Sequence, residues 1–221
     1  MRRTYQQRRW PETPLFQNIA KKWCSNQSHL LMDLVWRAVD LVCQNDLSKL
    51  PMEASDEAKE ESLNSMLSVR IEQLKSGDEP FAVVHQPPEP TQRKTKNARS
   101  PTPDIGFVWY ENQMCVWPME GKILAGKNGA NEYATEVETN FLTGRYASYS
   151  TEGAMLGYLL TGSPAKTLES LAKKLSKRFS DHPNLSERTH KISKHKRKKS
   201  ETQPAGDFYC HHLVFSVGGQ S

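Results

Sequence analysis

The sequence predicts an α/β (α+β) protein in which helices flank a central mixed sheet. Apolar residues recur at helical spacing in the first third of the chain, whereas short runs of β-favouring residues begin after residue 80 and return near residue 210. The 221 residues are enough for one domain of ordinary size with an appended helical segment. We therefore expect an N-terminal helical segment at 1–50 and one main domain at 51–221.

The first part of the chain has the spacing of helices. Residues 12–46 are predicted to form two helices, because apolar side chains between residues 30 and 42 make a broad stripe. Pro51 ends this region. A further helix is predicted to start at Ser55, whose side chain can cap it, and to end near Gly77.

The middle of the chain is predicted to form a sheet. A short strand at 81–84 is followed by strands at 105–110 and 114–124, and the short polar link between the last two favours a hairpin. Further elements are predicted in chain order: helices at 133–142, 151–160 and 164–179, a basic loop at 187–206, and a closing strand at 208–217.

The net charge of +5 is concentrated in clusters. Clustered cations suit a polyanion, because neutralising phosphates releases condensed counterions. They are equally consistent with solvated surface loops. The cations predicted to contact a nucleic-acid backbone are Arg93, Lys94, Lys96, Lys194, Lys196, Arg197 and Lys198.

The composition argues against a membrane-spanning, secreted or zinc-binding protein. No stretch approaches the roughly 18 consecutive apolar residues of a membrane span, and the polar, basic N-terminus lacks the apolar core of a secretory signal. We therefore expect a cytoplasmic protein with no membrane partner. The four cysteines form no CxxC pair. In a strand, Cys210, His211 and His212 would alternate between faces, so they cannot all bind one metal ion.

One group of polar residues is predicted to converge within the hairpin. Asp104 opens its first strand, whereas Glu120 and Lys122 lie two residues apart in the second strand and so share a face. Pairing of the two strands then brings two carboxylates and an ammonium group together. A salt bridge at the strand edge is the simpler explanation, but Glu120 lies in an apolar run, where a buried charge is costly.

This combination of side chains suits the hydrolysis of a phosphodiester. Two carboxylates can hold Mg²⁺, with Mn²⁺ as a substitute and the main-chain carbonyl of Gly121 as a further ligand. The ion would lower the pKa of a bound water and neutralise the phosphate, while Lys122 can orient that water or stabilise the developing negative charge. Asp104, Glu120 and Lys122 are thus the predicted catalytic residues.

The same residues resemble a known motif. Pro103-Asp104 followed by Glu120-Gly121-Lys122 resembles the PD-(D/E)xK motif of the restriction-endonuclease-like superfamily of nucleases. The predicted element order from about residue 55 to 160 is similar to that superfamily's αβββαβ core, with a late strand near residue 210. The resemblance implies metal-dependent nuclease activity within residues 51–221.

Members of this superfamily often carry an acidic residue on the first core helix. Glu60 lies at the edge of the apolar face of the predicted helix, and is therefore predicted as a further catalytic and metal-binding residue. It could instead only complement the helix dipole. Arg145 would pack near the motif in the family fold. It is predicted to bind a phosphate, or else to pair with Glu136 or Glu138.

These observations predict a metal-dependent nuclease, with DNA favoured over RNA as its substrate, acting as a defence-type nuclease or a nuclease subunit. The chain is short, which leaves little room for a domain that reads sequence, so a homodimer or a partner protein is expected to contribute to target choice. The alternative is a catalytically silent protein of the same fold that binds nucleic acid or a partner protein.

Overall fold

The computed structural model describes residues 27–89, 100–110, 113, 115–197 and 206–218, and these form a seven-stranded mixed sheet flanked by four α-helices. The helices are α1 (Gln27–Asn45), α2 (Asp56–Leu74), α3 (Gly126–Glu136, extended by a π-helical turn at Val137–Phe141) and α4 (Pro164–Lys174). The strands are β1 (Phe81–His85), β2 (Ile105–Trp109), β3 (Val116–Ile123), β4 (Glu152–Leu159), β5 (Phe179–Asp181), β6 (His190–Arg197) and β7 (Gly206–Ser216). In this part of the chain no helix is long and apolar enough to cross a membrane.

The sheet has the strand order β1-β2-β3-β4-β7-β6-β5. Strands β3, β4 and β7 are parallel and form its centre, while β1 and β2 on one side and β6 and β5 on the other are antiparallel to their neighbours. Parallel strands need cover on both faces, because each face is apolar. The two helical layers provide that cover.

The two faces of the sheet carry separate hydrophobic cores. Helices α1 and α2 pack on one face, where Trp36 of α1 meets Phe215 of β7 edge to face at 5.9 Å between ring centroids. Helices α3 and α4 pack on the other face. Helix α1 therefore shares a core with the main domain. The first of the two helices predicted for 12–46 lies mostly outside the described residues.

The helix predicted from Ser55 to Gly77 is confirmed as α2. The Ser55 hydroxyl accepts a hydrogen bond from the Ala58 backbone N–H at 3.3 Å, which caps the helix. Leu63, Leu67 and Ile71 are buried against the sheet, as their helical spacing predicts. One face of α2 is thereby fixed against β3, and the polar residues at the edge of that face lie beside the strand.

The hairpin predicted around residue 113 is also confirmed. Strands β2 and β3 pair antiparallel with Ile105 opposite Met119 and Val108 opposite Val116. Because β2 begins at Ile105, the last part of β3, residues 120–123, has no strand partner on that side among the described residues. This unpaired edge of β3 carries the candidate site.

Two predicted elements were wrong, and the first is the helix at 151–160. This segment is β4, which lies between β3 and β7 and pairs with both. A short apolar run fits a buried strand as well as a helix, so its own sequence could not decide. A Cβ on Gly153 would lie 2.6 Å from the Phe141 ring, so glycine here lets α3 and its π-helical turn pack tightly on the strand.

The second wrong element is the basic loop at 187–206. Residues 190–197 form strand β6, and residues 198–205 lie outside the described part of the chain. Side chains alternate along β6, so that Ser193, His195 and Arg197 are buried while Lys194 and Lys196 are exposed. The high lysine content of this segment favoured a loop in the prediction and obscured the alternation of a strand. Helix α4 is also shorter than predicted, ending at Lys174 before the short strand β5.

Candidate active site

At the unpaired edge of β3, carboxylates accept the backbone hydrogen bonds that a neighbouring strand would otherwise accept. Gly121 donates its backbone N–H to Asp104 Oδ2 at 2.8 Å, and Ile123 donates its backbone N–H to Glu60 Oε2 at 3.0 Å. The backbone N–H of Leu124 points to the opposite edge from those of Gly121 and Ile123, and it donates to the Tyr158 carbonyl of β4. In a strand the N–H and C=O of one residue point to the same edge, so the Gly121 carbonyl also lies at this edge.

Lys122 and Glu60 form an ion pair across this edge. The Lys122 Nζ donates to Glu60 Oε1 at 2.6 Å, and the two side chains are 17% and 15% exposed. Burial lowers the pKa of Lys122, but the bond from Glu60 and the nearby carboxylates outweigh it, so the pKa lies above its ordinary value. The ammonium group is therefore held charged and in a fixed position.

Asp104 and Glu120 lie beside this pair. Glu120 is only 7% exposed, and its Oε2 accepts the Asp104 backbone N–H at 3.3 Å. Burial raises the pKa of Glu120 well above its usual range, and the negative charges of Asp104 and Glu136 raise it further. Burial also raises the pKa of Asp104, although the Gly121 N–H opposes this. A cation between the two carboxylates would relieve both effects.

Asn64 is a site residue that the sequence analysis missed. It lies one turn of α2 after Glu60, accepts a hydrogen bond from the Tyr158 hydroxyl, and hydrogen-bonds Asp104. A Cβ on Gly121 would come closer than 3.0 Å to both Asn64 and Tyr158, so glycine lets α2 approach β3 closely. The i, i+4 spacing from Glu60 was the signal that could have identified Asn64.

Tyr146 and Glu136 lie near Glu120 on the α3 side, and Arg145 is linked to Glu136. Burial raises the pKa of Tyr146, with the charges of Glu120 and Glu136 adding to the effect, and the Tyr146 hydroxyl donates to the Thr102 carbonyl at 3.2 Å. Arg145 donates to Asn140 Oδ1 at 3.1 Å. Asn140 in turn donates to Glu136, so Arg145 reaches that glutamate through an amide and not directly. The Arg145 Nε is buried and has no hydrogen-bond partner among the described residues.

The cations predicted to contact nucleic acid are placed very differently. Arg93, Lys94, Lys96 and Lys198 lie outside the described residues. Lys194 and Lys196 are exposed, but both pair with Asp207 of β7, at 2.7 and 2.5 Å. Arg197 faces the interior, and its guanidinium lies 3.7 Å from the centroid of the Phe208 ring. The prediction that Arg197 contacts nucleic acid is wrong, because strand alternation turns its side chain inward.

Arg197 holds the segment that carries Tyr146. Its guanidinium donates to the carbonyls of Tyr146, Ala147 and Ser150, at 3.2, 3.0 and 3.0 Å. Burial lowers its pKa to about 10. From the other side, Glu89 accepts bonds from the Ala147 N–H and the Ser148 hydroxyl. The segment at 146–150 is thus held in place by two buried side chains, the Glu89 carboxylate and the Arg197 guanidinium.

We expect Arg197→Gln to destabilise the fold by about 2–4 kcal/mol, because it leaves buried carbonyls without donors. Urea unfolding monitored by fluorescence measures the loss. Lys196→Gln is the matched control, since it removes an exposed neighbour whose ion pair contributes about 1 kcal/mol at most. Equal losses in the two variants would refute a structural role for Arg197.

The donor set at this edge fits a hard divalent cation that keeps several waters. Within the described ranges no group of three or more His, Cys, Asp or Glu side chains is arranged to hold a metal ion, and Glu60 faces Lys122. Asp104, Glu120 and the Gly121 carbonyl remain, all of them oxygen donors. Mg²⁺ is commonly bound by one or two carboxylates together with waters and substrate oxygens.

Comparison with known proteins adds no relative. Neither protein-family models, nor curated proteins, nor solved structures match this chain.

Proposed function

We propose that this protein is a metal-dependent nuclease that hydrolyses phosphodiester bonds, with DNA favoured over RNA as the substrate. The observation that carries the proposal is the meeting of Asp104, Glu120 and Lys122 at the unpaired edge of β3. A buried and a half-buried carboxylate with raised pKa values beside a charged lysine are costly if they serve stability alone. That cost is explained if the group binds a cation and an anionic substrate.

The fold around these residues supports a restriction-endonuclease-like core. The order α2-β1-β2-β3-α3-β4 is an αβββαβ order, and β4 is parallel to β3. Asp104 precedes β2, and Glu120 and Lys122 lie on β3, as the resemblance implies. The αβββαβ order is complete at β4, and the closing strand β7 adds a further strand next to β4.

The charge at the site explains why a cation is needed. Among the described residues, the carboxylates of Glu60, Asp104, Glu120 and Glu136 lie close together, and the basic side chains beside them are Lys122 and Arg145, with the His85 ring near Asp104. A phosphodiester approaching this group would be repelled. Asp104, Glu120 and the Gly121 carbonyl would hold Mg²⁺, which supplies charge neutralisation and a water of lowered pKa when it is bound.

The protein's own groups then position the reactants. The Lys122 ammonium can donate to the attacking water or to a phosphoryl oxygen as negative charge develops. Glu60 keeps Lys122 charged and aimed across the edge, and the Ile123 N–H keeps Glu60 in place. Asn64 and the Gly121 N–H orient Asp104. Tyr146 and the buried strand faces limit the access of bulk water to Glu120.

The proposal is tested by incubating the purified full-length protein with plasmid, linear and single-stranded DNA and with RNA, in Mg²⁺, in Mn²⁺ or in EDTA. We expect cleavage only with a divalent ion, and a loss of at least about 100-fold in Lys122→Ala, the scale for removing a group that stabilises developing charge. Glu61→Gln, on the exposed side of α2, is the control. Cleavage that persists in EDTA or in Lys122→Ala would contradict the proposal.

A catalytically silent protein that binds nucleic acid is the second candidate. It is favoured by one observation: both oxygens of Glu60 are bonded to Lys122 and Ile123, so the third carboxylate does not join Asp104 and Glu120. Metal-independent binding without cleavage of any of these substrates would support it. A homodimer or partner protein remains a prediction, and light scattering of the purified chain measures the first.

A further inference from the structure

The exposed cations of the described part of the chain divide into two groups. Four of them have a carboxylate partner within 4.0 Å: Arg37, Lys49, Lys194 and Lys196. Five cations on α4 and the turn after it are exposed, and no ion pair is formed by any of them within the described ranges: Lys166, Lys173, Lys174, Lys177 and Arg178. We name this group the α4 basic surface. It is a local excess of charge that the fold itself does not neutralise.

The geometry of α4 gathers these cations on one outward side. Lys166 and Lys173 are seven residues apart, so they lie about 20° from each other around the helix. Leu168 and Leu171 face the core, which directs the lysines to solvent. At the helix end, Lys173 in the last turn and Lys177 after it line a shallow groove of about 520 Å³ whose acidic residue is Glu169. The groove is open to solvent.

Stabilisation of the helix does not account for this arrangement. Lys173 and Lys174 in the last turn complement the negative end of the helix dipole. Lys166 lies in the first turn, where a positive charge is unfavourable, and the first turn carries no acidic residue. Lys177 and Arg178 follow the helix and are exposed. Helix stabilisation therefore does not explain the charge of this surface, which is available to a partner outside the fold.

We propose that the α4 basic surface binds the sugar–phosphate backbone of a nucleic acid away from the cleavage site. The identity of this polyanion rests on the proposed function. Lipid is disfavoured because the exposed large apolar residues of the described ranges, Met52, Val69 and Tyr149, are not on α4. Four strand steps separate β3 from β5, which follows α4 in the chain, or about 19 Å at ordinary strand spacing, with β4, β7 and β6 between them. A short duplex spans this distance.

The test compares two variants of equal net charge. The first replaces Lys166, Lys173, Lys177 and Arg178 with glutamine, and the second does the same to Arg37, Lys49, Arg188 and Lys191, which are paired in the fold. Binding of a fluorescent DNA duplex of about 30 base pairs to the full-length protein is measured by anisotropy in EDTA, at salt concentrations from about 50 to 200 mM. Circular dichroism checks that both variants are folded.

We expect the first variant to bind at least tenfold more weakly, with its salt slope reduced by about 0.9 for each phosphate that it no longer neutralises. The second variant should bind within about twofold of the native protein, because each of the four cations that it replaces already has a carboxylate partner. Equal effects in both variants, or no effect in the first, would overturn the inference. So would binding to phosphatidylserine vesicles without binding to DNA.

Failure of this inference is distinguishable from failure of the proposed function. Binding in EDTA reports on the α4 basic surface, and cleavage in Mg²⁺ reports on Asp104, Glu120 and Lys122. DNA that is bound by way of the surface but never cleaved contradicts only the nuclease proposal. Normal cleavage with unchanged binding in the first variant contradicts only the surface.

Discussion

Replacing Glu120 with glutamine is expected to reduce metal-dependent cleavage by at least about 10³-fold, the scale of several kcal/mol for charge stabilisation by a bound ion. Glutamine keeps the size of the side chain and its carbonyl oxygen, so the bond from the Asp104 N–H can persist. It removes the charge that would hold a cation beside Asp104. The rate of cleavage of the substrate identified in the first assay measures this loss.

The same variant should also be more stable than the native protein when no metal is present. Glu120 is buried next to Asp104 and Glu136, which destabilises its charged form. A neutral amide does not bear that cost. Mg²⁺ should then stabilise the native protein, by about 2.7 kcal/mol at 100 times its dissociation constant, and leave the variant unchanged. Thermal unfolding with and without Mg²⁺ measures both effects.

Glu61→Gln controls for a general effect of losing a carboxylate, because Glu61 is exposed on α2 next to the site. It should keep cleavage and the response to Mg²⁺. A Glu120→Gln variant that cleaves normally would remove Glu120 from the active site. A variant that is less stable than the native protein without metal would show that the Glu120 charge is satisfied by the fold, and the argument for a cation would fail.

The parts of this site that could be predicted from the sequence are those that depend on local geometry. Glu120 and Lys122 share a strand, and Asp104 is brought to them by a hairpin with a short link. The face of α2 follows from the helical spacing of its leucines, which also places Glu60 at the edge. Each of these inferences needed only neighbours within one element or one turn.

The parts that were missed depend on pairing between distant segments. Whether Lys196 is free depends on its register with Asp207, and that register exists only because β6 pairs with β7. The strand β4 is specified by its two parallel neighbours. The position of Glu60 on α2 allows it to bind either a metal ion or Lys122. The close approach of α2 to β3 places Glu60 against the lysine.

A cluster of histidines lies beneath α1, on the far side of the sheet from α3. His182 and His190 are almost fully buried, and their rings lie 4.7 Å apart. His190 accepts the Trp36 indole N–H at Nδ1 and bonds His211 Nδ1 through Nε2 at 3.0 Å. The charged groups that face the cluster are Glu152, whose carboxylate lies 3.9 Å from His211 Nε2, and Glu187, which acts on His182. Within the described residues, neither His211 nor His195 is bonded to the candidate active site.

The burial of these rings makes their protonation costly. Burial, together with the neighbouring histidines, lowers the pKa of His190 to about 2 and that of His182 to about 4. The unfolded chain binds a proton at each ring below about pH 6.5. The folded protein does not, so stability is retained above about pH 6.5 and falls as the pH drops from there towards the folded pKa values.

We expect the free energy of unfolding to lose about 1.4 kcal/mol for each pH unit and each such histidine between about pH 6.5 and 4.5. Buried carboxylates with raised pKa values, such as Glu89, act in the opposite direction, so the informative quantity is a difference between variants. His190→Gln should flatten the pH dependence by the share of one histidine, since glutamine can still accept the Trp36 N–H. Urea unfolding at several pH values measures it.

Gln44→Ala is the control, because Gln44 is exposed near the end of α1 and does not titrate, so the slope should be unchanged. A slope that is the same in His190→Gln and in the native protein would mean that His190 carries a proton in the fold. That result would require a carboxylate beside His190. Glu152 is the nearest candidate, so Glu152→Gln would then have to change the slope instead.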